Sequence, residues 1–348
     1  MEERAISDGP PTAAGAIVMA GGIFGAAALQ RIPDFGAAAT APLAIALAVV
    51  WTVIAAMILR SLASGRLAAH TRSPVGSFAI CTWVAGTMVL ARMAMLSAPA
   101  ALILAKALFF IGLGIWLWFL PLAFRNLRII AARGESARPN GIVLLSTVGT
   151  EAIALIALRL FPGVPDIRWA AAGFMAFGAG FYLAGLVLIL RRYAEDRAWH
   201  LADEWPNANC ILHGALSITG LTAAASGLFA PQPLAAFWIG DLAVFAAVET
   251  VEAARSIERI RQLGWWRALL VYDTSQWARN FTFGMFYAFS AALPGGALLP
   301  PPLALLHGAI IGYGQYAVLF LILAELSLMA VSVAPRIRAA LPRHGGLR

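Results

Sequence analysis

The sequence predicts an all-α polytopic membrane protein with ten transmembrane helices arranged as five helical hairpins. Of its 348 residues, 61% are hydrophobic and only 12% are charged, about half the charged share of a soluble domain. Apolar runs of roughly 20 residues, the length that crosses a bilayer as a helix, recur along the chain. The basic residues also alternate from one connecting loop to the next, as they do in multi-pass membrane proteins.

The apolar runs define the elements in order. The ten predicted spans are 12–29, 37–59, 76–96, 98–123, 141–160, 169–190, 208–228, 232–254, 275–293 and 302–330. Segment 294–302, PGGALLPPP, is a predicted turn because Pro and Gly cannot continue a helix there. We expect one transmembrane domain over 1–348, with a cytoplasmic segment 1–11 before the first span and a basic tail 331–348 after the last.

The basic residues predict the direction of the spans. The chain has 25 of them, of which 19 fall in loops on one predicted side, three on the other side and three inside spans. Since basic residues collect in cytoplasmic loops, both termini are predicted to be cytoplasmic and the chain to lie in the cell (inner) membrane as a multi-pass protein. This distribution accounts for the net charge of +8. No basic run with interleaved aromatic residues suggests a nucleic-acid partner.

A regular spacing supports the hairpin arrangement. Four basic loops begin at Arg60, Arg125, Arg191 and Arg255, about 65 residues apart, and each interval holds one out-and-back pair of spans. This indicates five units of similar size. The alternative is that any pair of spans joined by short loops has this length.

The odd-numbered and even-numbered spans differ in composition. The odd spans are rich in Gly, Ala, Ser and Thr, whereas spans two, four and ten carry bulkier side chains. Small residues let helices approach closely, so we expect the odd spans to form an inner bundle and the even spans an outer shell. Span six, with GFMAFGAGF, weakens the contrast. The alternative is ordinary close packing without any path through the bundle.

Four short segments carry a family resemblance: IVMAGGI at 17–23, TWVAGT at 82–87, LLSTVGTEAIAL at 144–155 and FTFGM at 281–285. Together with the five hairpins, they resemble the tellurite-resistance/C4-dicarboxylate transporter family, which includes the slow-type anion channels of plant guard cells. The resemblance implies a central pore formed by the odd helices and a homotrimer with one pore per protomer. It also implies transport of small anions (chloride or nitrate, an oxyanion or a dicarboxylate) across the lipid bilayer, with no cofactor.

The resemblance further implies that Phe283, on the ninth helix, plugs the pore as an apolar constriction that gates by excluding water. The family has Pro after this ring, whereas this chain has Gly284, which permits bending without forcing a kink. Phe286 and Tyr287 follow Phe283 by three and four residues on the same face. Further pore-lining candidates are Thr87, Thr147 and Thr219. The alternative is that the rings fill space between helices.

Ionisable residues inside spans are costly and therefore mark candidate sites. Arg279 lies at the start of span nine, at a depth similar to that of Glu249 and one turn deeper than Glu252 on span eight. A pair between Arg279 and either glutamate would tie the two helices together. Alternatively, Arg279 would draw anions to an inner pore mouth.

Glu151 lies near the middle of span five. It could be protonated, pair with Arg92 or Lys106, or carry protons. The last option predicts a proton-coupled exporter of oxyanions or dicarboxylates as the alternative to a passive channel.

Two histidines, His213 and His307, admit a haem-dependent or metal-dependent membrane protein as a third hypothesis. The predicted topology places them on opposite sides of the membrane, which argues against one shared metal. Cys81 and Cys210 lie in or beside apolar spans and are too few for a disulfide framework. Since no nucleotide-binding, hydrolase or metal-ligand motif is present, we predict no enzyme activity and no metal site.

Overall fold

The computed structural model describes residues 11–196, 199–293 and 298–340 and shows an all-α membrane protein, with no strand among those residues. Of the predicted segment 1–11 and tail 331–348, residues 1–10 and 341–348 lie outside the described residues, while 331–340 continue the last helix. Ten long helices are present: α1 Thr12–Arg31, α2 Gly36–Ala63, α3 Gly76–Ser97, α4 Pro99–Arg133, α5 Gly141–Leu160, α6 Ile167–Glu195, α7 Asn207–Ser226, α8 Pro231–Leu263, α9 Gln276–Ala292 and α10 Pro301–Ala340.

Each predicted span coincides with one of these helices. Nine of the described helices are long and apolar enough to cross a membrane. The exception is α9, whose 17 residues rise about 25 Å against a hydrocarbon core of about 30 Å. The predicted turn 294–302 after it falls partly on residues 294–297, which lie outside the described residues. Helices α4 and α8 continue beyond the predicted spans because their polar last turns end the apolar run but not the helix.

The odd-numbered helices form a closed inner ring. In sequence around the ring, α1 packs on α3, α3 on α5, α5 on α7, α7 on α9, and α9 returns to α1. Between 72% and 83% of the residues in the membrane windows of α1, α3, α5 and α7 are buried, against 11% to 28% for α2, α4, α6, α8 and α10. The predicted partition into an inner bundle and an outer shell is therefore confirmed.

Small residues allow the inner helices to approach closely. A Cβ atom at Gly22 would overlap Val89 Cγ1 on α3, and one at Gly214 would overlap Thr282 Cγ2 on α9. Gly149 faces Cys81 in the same way, with 3.1 Å to its Cβ. Since larger side chains would push the helices apart, these positions explain why the odd helices are rich in small residues and why the line they enclose, the bundle axis, is narrow.

Candidate functional site

A cavity of about 410 Å³ opens at one end of the bundle axis. All five inner helices contribute to it, which places it on the axis rather than between two neighbouring helices. We call it the arginine vestibule. Its lining residues are Ile23, Ala26, Ala27, Gln30, Arg31, Val89, Arg92, Leu96, Leu155, Ile156, Arg159, Leu221, Ala288, Ala291 and Ala292.

Three arginines give the vestibule its charge. Arg31 and Arg159 are exposed, while Arg92 lies deeper and is half-buried. Arg31 donates a hydrogen bond to the carbonyl oxygen of Ala291 at 3.2 Å, which ties α1 to α9 at the rim. No acidic residue lines the cavity, and none of the three forms a salt bridge within the described part of the chain. The positive charge is therefore available to an anion.

A π-helical segment, Phe24–Ala28, interrupts α1 beside the vestibule. Its Ala26 and Ala27 line the cavity. Such one-turn insertions are rare and frequently occur at functional sites. Here the segment widens the last turns of α1 with two small side chains, which leaves room at the vestibule wall.

Buried apolar side chains lie beneath the vestibule on all five inner helices. One or two helical turns from lining residues, and so on a similar face, are Met19 below Ile23, Ala85 below Val89, Val148 below Ile156, Ile218 below Leu221, and Met285 and Phe281 below Ala288. Two polar residues are also one turn below the lining: Glu151, which accepts a hydrogen bond from Thr219, and Ser217, which donates to Asp241 of α8. Each inner helix thus places apolar groups between the vestibule and the opposite end of the bundle.

Phe283 faces α7 and α8, and these contacts do not support its predicted role as the plug, which stays a prediction. Its ring packs 5.0 Å from Phe245 of α8 and 6.2 Å from His213 of α7, centroid to centroid. The step of two residues from Phe281 to Phe283 turns the helix by about 200°. Phe281 lies two turns before the vestibule residue Ala288, on the same face of α9, and is fully buried.

The neighbours of Phe283 also lie away from the axis. Phe286 stacks on Phe245, with 4.7 Å between the centroids, and Tyr287 donates a hydrogen bond to Gln315 of α10 at 3.2 Å. Gly284 faces α1, where an added Cβ would lie 2.8 Å from Ile23 Cγ2. It serves close helix packing beside the vestibule.

The three predicted pore-lining threonines face other helices instead. Thr87 accepts a hydrogen bond from the indole of Trp51 on α2 at 2.9 Å. Thr147 donates to the carbonyl oxygen of Gly178 on α6 at 3.0 Å, and Thr219 donates to Glu151 at 3.2 Å. In a medium without water, each hydroxyl bonds to a protein acceptor or donor; the partners of Thr87 and Thr147 are on outer helices, whereas that of Thr219 is on the inner helix α5.

The predicted tie between α8 and α9 is present. Arg279 Nη2 lies 3.2 Å from Glu252 Oε2, and Arg279 Nη1 lies 4.0 Å from Glu249 Oε2. Glu249 also approaches His213 Nε2 at 3.7 Å, and Glu252 pairs with Arg255 at 2.8 Å. This cluster sits between α7, α8 and α9, so the alternative role of Arg279 at an inner pore mouth is not supported by its position.

Glu151 is fully buried between α5, α6 and α7. It accepts the Thr219 hydrogen bond, packs against Gly178 of α6, and leaves Oε2 without a hydrogen-bond partner among the described residues. Neither predicted pair, with Arg92 or with Lys106, forms. Arg92 lies in the vestibule, and Lys106 lies 5.9 Å from the centroid of the Phe161 ring.

The two histidines are separated, as the topology predicts. His213 contacts Phe245 and Glu249, while His307 Nε2 lies 2.9 Å from the carbonyl oxygen of Ser290. Within the described ranges, no group of three or more His, Cys, Asp and Glu side chains could hold a metal ion.

Sequence reasoning missed Arg31 and Arg159 as site residues, since they were counted only as loop charges. The signal that could have found them is their common position. Arg31, Arg92 and Arg159 all stand near the same end of the odd spans, on a side otherwise poor in basic residues.

Comparisons with known proteins add no relative. No known protein family matches this chain, and no curated protein matches it significantly. The resemblance to the tellurite-resistance/C4-dicarboxylate transporters remains a prediction from the sequence.

Proposed function

We propose that this protein transports small anions, such as chloride, nitrate, an oxyanion or a dicarboxylate, along the axis of the five-helix ring. The observation that carries the proposal is the arginine vestibule, which joins three cationic side chains and no acidic one on that axis. In the same proposal, the chain lies in the cell (inner) membrane with both termini cytoplasmic, assembles as a homotrimer and performs no enzymatic reaction. The vestibule then opens to the outside.

The vestibule concentrates anions because its three positive charges act in a cavity with largely apolar walls, where electrostatic interactions are stronger than in bulk water. The apolar layer beneath it is the barrier. Phe281 and Met285 exclude water from the axis, and a passage lined in this way conducts only when it widens enough to become wet. The proposed gate is therefore the pair Phe281 and Met285 on α9.

The test is anion flux in liposomes that contain the purified protein, with chloride and nitrate offered separately. Phe281→Ala removes the ring from the axis and is expected to raise the flux about tenfold or more. Phe283→Ala is the matched control. It also removes a phenylalanine ring from α9, but from a position two residues later that faces α7 and α8. We expect it to leave the flux within about twofold of the unchanged protein.

Two outcomes would refute the proposal. In the first, neither the unchanged protein nor Phe281→Ala passes either anion above protein-free liposomes. In the second, Phe283→Ala opens the path and Phe281→Ala does not, which would place the barrier between α8 and α9 instead of on the bundle axis.

The proton-coupled alternative rests on Glu151, whose free oxygen is buried in the membrane. Its carboxyl group is not among the side chains that line the vestibule, which favours a passive path. Glu151→Gln keeps the size of the side chain and removes its ability to carry a proton. If transport is passive, this variant conducts anions as before under a pH gradient, whereas the loss of pH-driven accumulation alone would favour the exporter.

A further inference from the structure

An apolar groove of about 370 Å³ lies on the lipid-facing side of the protein, between the outer helices α2 and α4. Its floor is formed by α3 and by the start of α1. The groove contains three tryptophans, Trp51, Trp83 and Trp118, together with aliphatic side chains such as Leu59 and Ile111. It occupies the half of the membrane nearer to the loop between α2 and α3.

Two of the three indole N–H groups at the groove are already satisfied inside the protein. Trp51 donates to Thr87 Oγ1 at 2.9 Å, and Trp83 donates to the carbonyl oxygen of Thr12 at 3.0 Å. The rings of Trp51 and Trp83 therefore present apolar surface to the groove, which suits an aliphatic chain.

One polar group at the groove lacks a partner. His70 lines the groove and is 92% buried, since its exposure is 8%. Its Nδ1 lies 2.9 Å from Thr12 Oγ1, while Nε2 has no hydrogen-bond partner among the described residues. When the Thr12 hydroxyl donates to Nδ1, Nε2 carries the proton and can donate to an oxygen of a ligand. Burial lowers the pKa of His70 and so favours this neutral ring.

The loop beside the groove is strongly basic. Between residues 60 and 72 the chain carries Arg60, Arg66 and Arg72 and no acidic residue, and all three arginines are exposed. Arg60 follows the groove residue Leu59, and Arg72 stands two residues after His70. Basic clusters at the membrane surface attract anionic lipid headgroups.

We propose that this groove binds one anionic phospholipid. One acyl chain lies against the three tryptophans, an ester or phosphate oxygen accepts a hydrogen bond from His70 Nε2, and the negative headgroup lies among the arginines of the 60–72 loop. The N-terminal residues 1–10 are the alternative occupant of the groove. Their sequence, MEERAISDGP, carries three acidic residues, and such a charged segment does not suit an apolar groove. The site is separate from the bundle axis and does not depend on the proposed transport.

The test is native mass spectrometry of the detergent-solubilised protein, titrated with phosphatidylglycerol and, separately, with phosphatidylcholine. We expect one phosphatidylglycerol per chain, bound at least fivefold more tightly than phosphatidylcholine. Ala55→Trp fills the groove and is expected to weaken phosphatidylglycerol binding at least tenfold. Ala56→Trp, on the lipid-exposed side of the same turn of α2, adds the same bulk outside the groove and is expected to bind as the unchanged protein does.

Two further variants separate the two parts of the site. His70→Leu removes the donor and should weaken binding of both lipids, whereas Arg60→Gln with Arg72→Gln should abolish only the preference for the anionic lipid. Equal binding in Ala55→Trp and Ala56→Trp, or no preference for phosphatidylglycerol in the unchanged protein, would overturn the proposal. So would a changed oligomeric mass in Ala55→Trp, which would assign the groove to a second copy, or tighter binding after deletion of residues 2–10, which would assign it to that segment.

Discussion

Two regions of this molecule hold arginines inside the membrane, and they treat the charge in opposite ways. The arginine vestibule gathers Arg31, Arg92 and Arg159 around an open cavity without an acidic side chain. At the other end of the bundle, Arg279 points to α8, where Glu249 and Glu252 neutralise it. The difference shows that the role of a membrane arginine depends on the helix face it occupies and on what that face meets.

The physical reason lies in the cost of charge in a bilayer. An ionised side chain in the hydrocarbon region must meet water, a cavity or an opposite charge. In the vestibule, Arg31 and Arg159 are exposed to water and Arg92 lines the cavity. Arg279 instead meets the opposite charges of Glu249 and Glu252. Only the first arrangement leaves a positive potential that an anion can use.

The largest expected effect comes from removing the neutralised arginine. Arg279→Met leaves Glu249 without a full positive partner and leaves Glu252 with Arg255 alone, so we expect the free energy of unfolding to fall by about 3 kcal/mol. The same substitution at Arg92 removes no ion pair and is expected to change stability by less than about 1 kcal/mol. Reversible unfolding in mixed micelles measures both.

The comparison fails if Arg92→Met destabilises the protein as much as Arg279→Met does, since Arg92 would then have a partner of equal importance. The double variant Arg279→Met with Glu249→Gln is the internal check. It should recover part of the lost stability, because it removes one of the two carboxylates that Arg279 neutralises.

The next largest effect is on flux and comes from reversing a charge in the vestibule. Arg92→Glu changes the charge near a bound anion by two units, which is worth about 2 kcal/mol at 4 Å even with the screening of water. This corresponds to roughly a thirtyfold loss of anion occupancy, and we expect a comparable loss of flux in liposomes at low anion concentration. Glu249→Gln, which changes a charge away from the axis, is the control. Equal losses of anion flux in Arg92→Glu and Glu249→Gln would show that the anion does not pass through the vestibule.

The sequence was sufficient to predict the spans and the two layers of helices. Both depend on properties averaged over many residues, namely the length of apolar runs and the share of small side chains. The burial of α5 and the exposure of α2 follow from such averages. The pair between Arg279 and α8 was also predictable, because consecutive helices tend to lie near each other and opposite charges in the membrane pair.

The faces of the inner helices were not predictable in the same way. A hydrophobic helix in lipid has no polar side to mark the interior, so the amphipathic signal that orients a helix in a soluble protein is missing. Phe281 and Phe283 differ only by a rotation of the helix, and the short match FTFGM does not fix that rotation. The threonines misled for a related reason, since Thr87 and Thr147 bond to α2 and α6 and leave the axis apolar.

A smaller effect is expected where α9 meets α1. Gly284→Ala places a Cβ 2.8 Å from Ile23 Cγ2, and Ile23 also lines the vestibule. The side chain must shift, and overpacking of this kind costs about 1–2 kcal/mol. We expect this loss of stability to be recovered by adding Ile23→Val, which shortens the opposing side chain. A neutral Gly284→Ala would show that α1 and α9 are farther apart than in this structure.

The smallest effect tests whether depth in the vestibule matters. Arg31 is exposed at the rim and donates to Ala291, so its charge is screened by salt more than that of the half-buried Arg92. We expect Arg31→Gln to lower anion flux about twofold to fivefold at low ionic strength and to have almost no effect at 1 M, where the screening length is about 3 Å. The loss in Arg92→Gln should persist at the same salt concentration. If both losses vanish together, the vestibule acts only as a surface charge that collects anions, and the selective step lies deeper, at the apolar layer around Phe281.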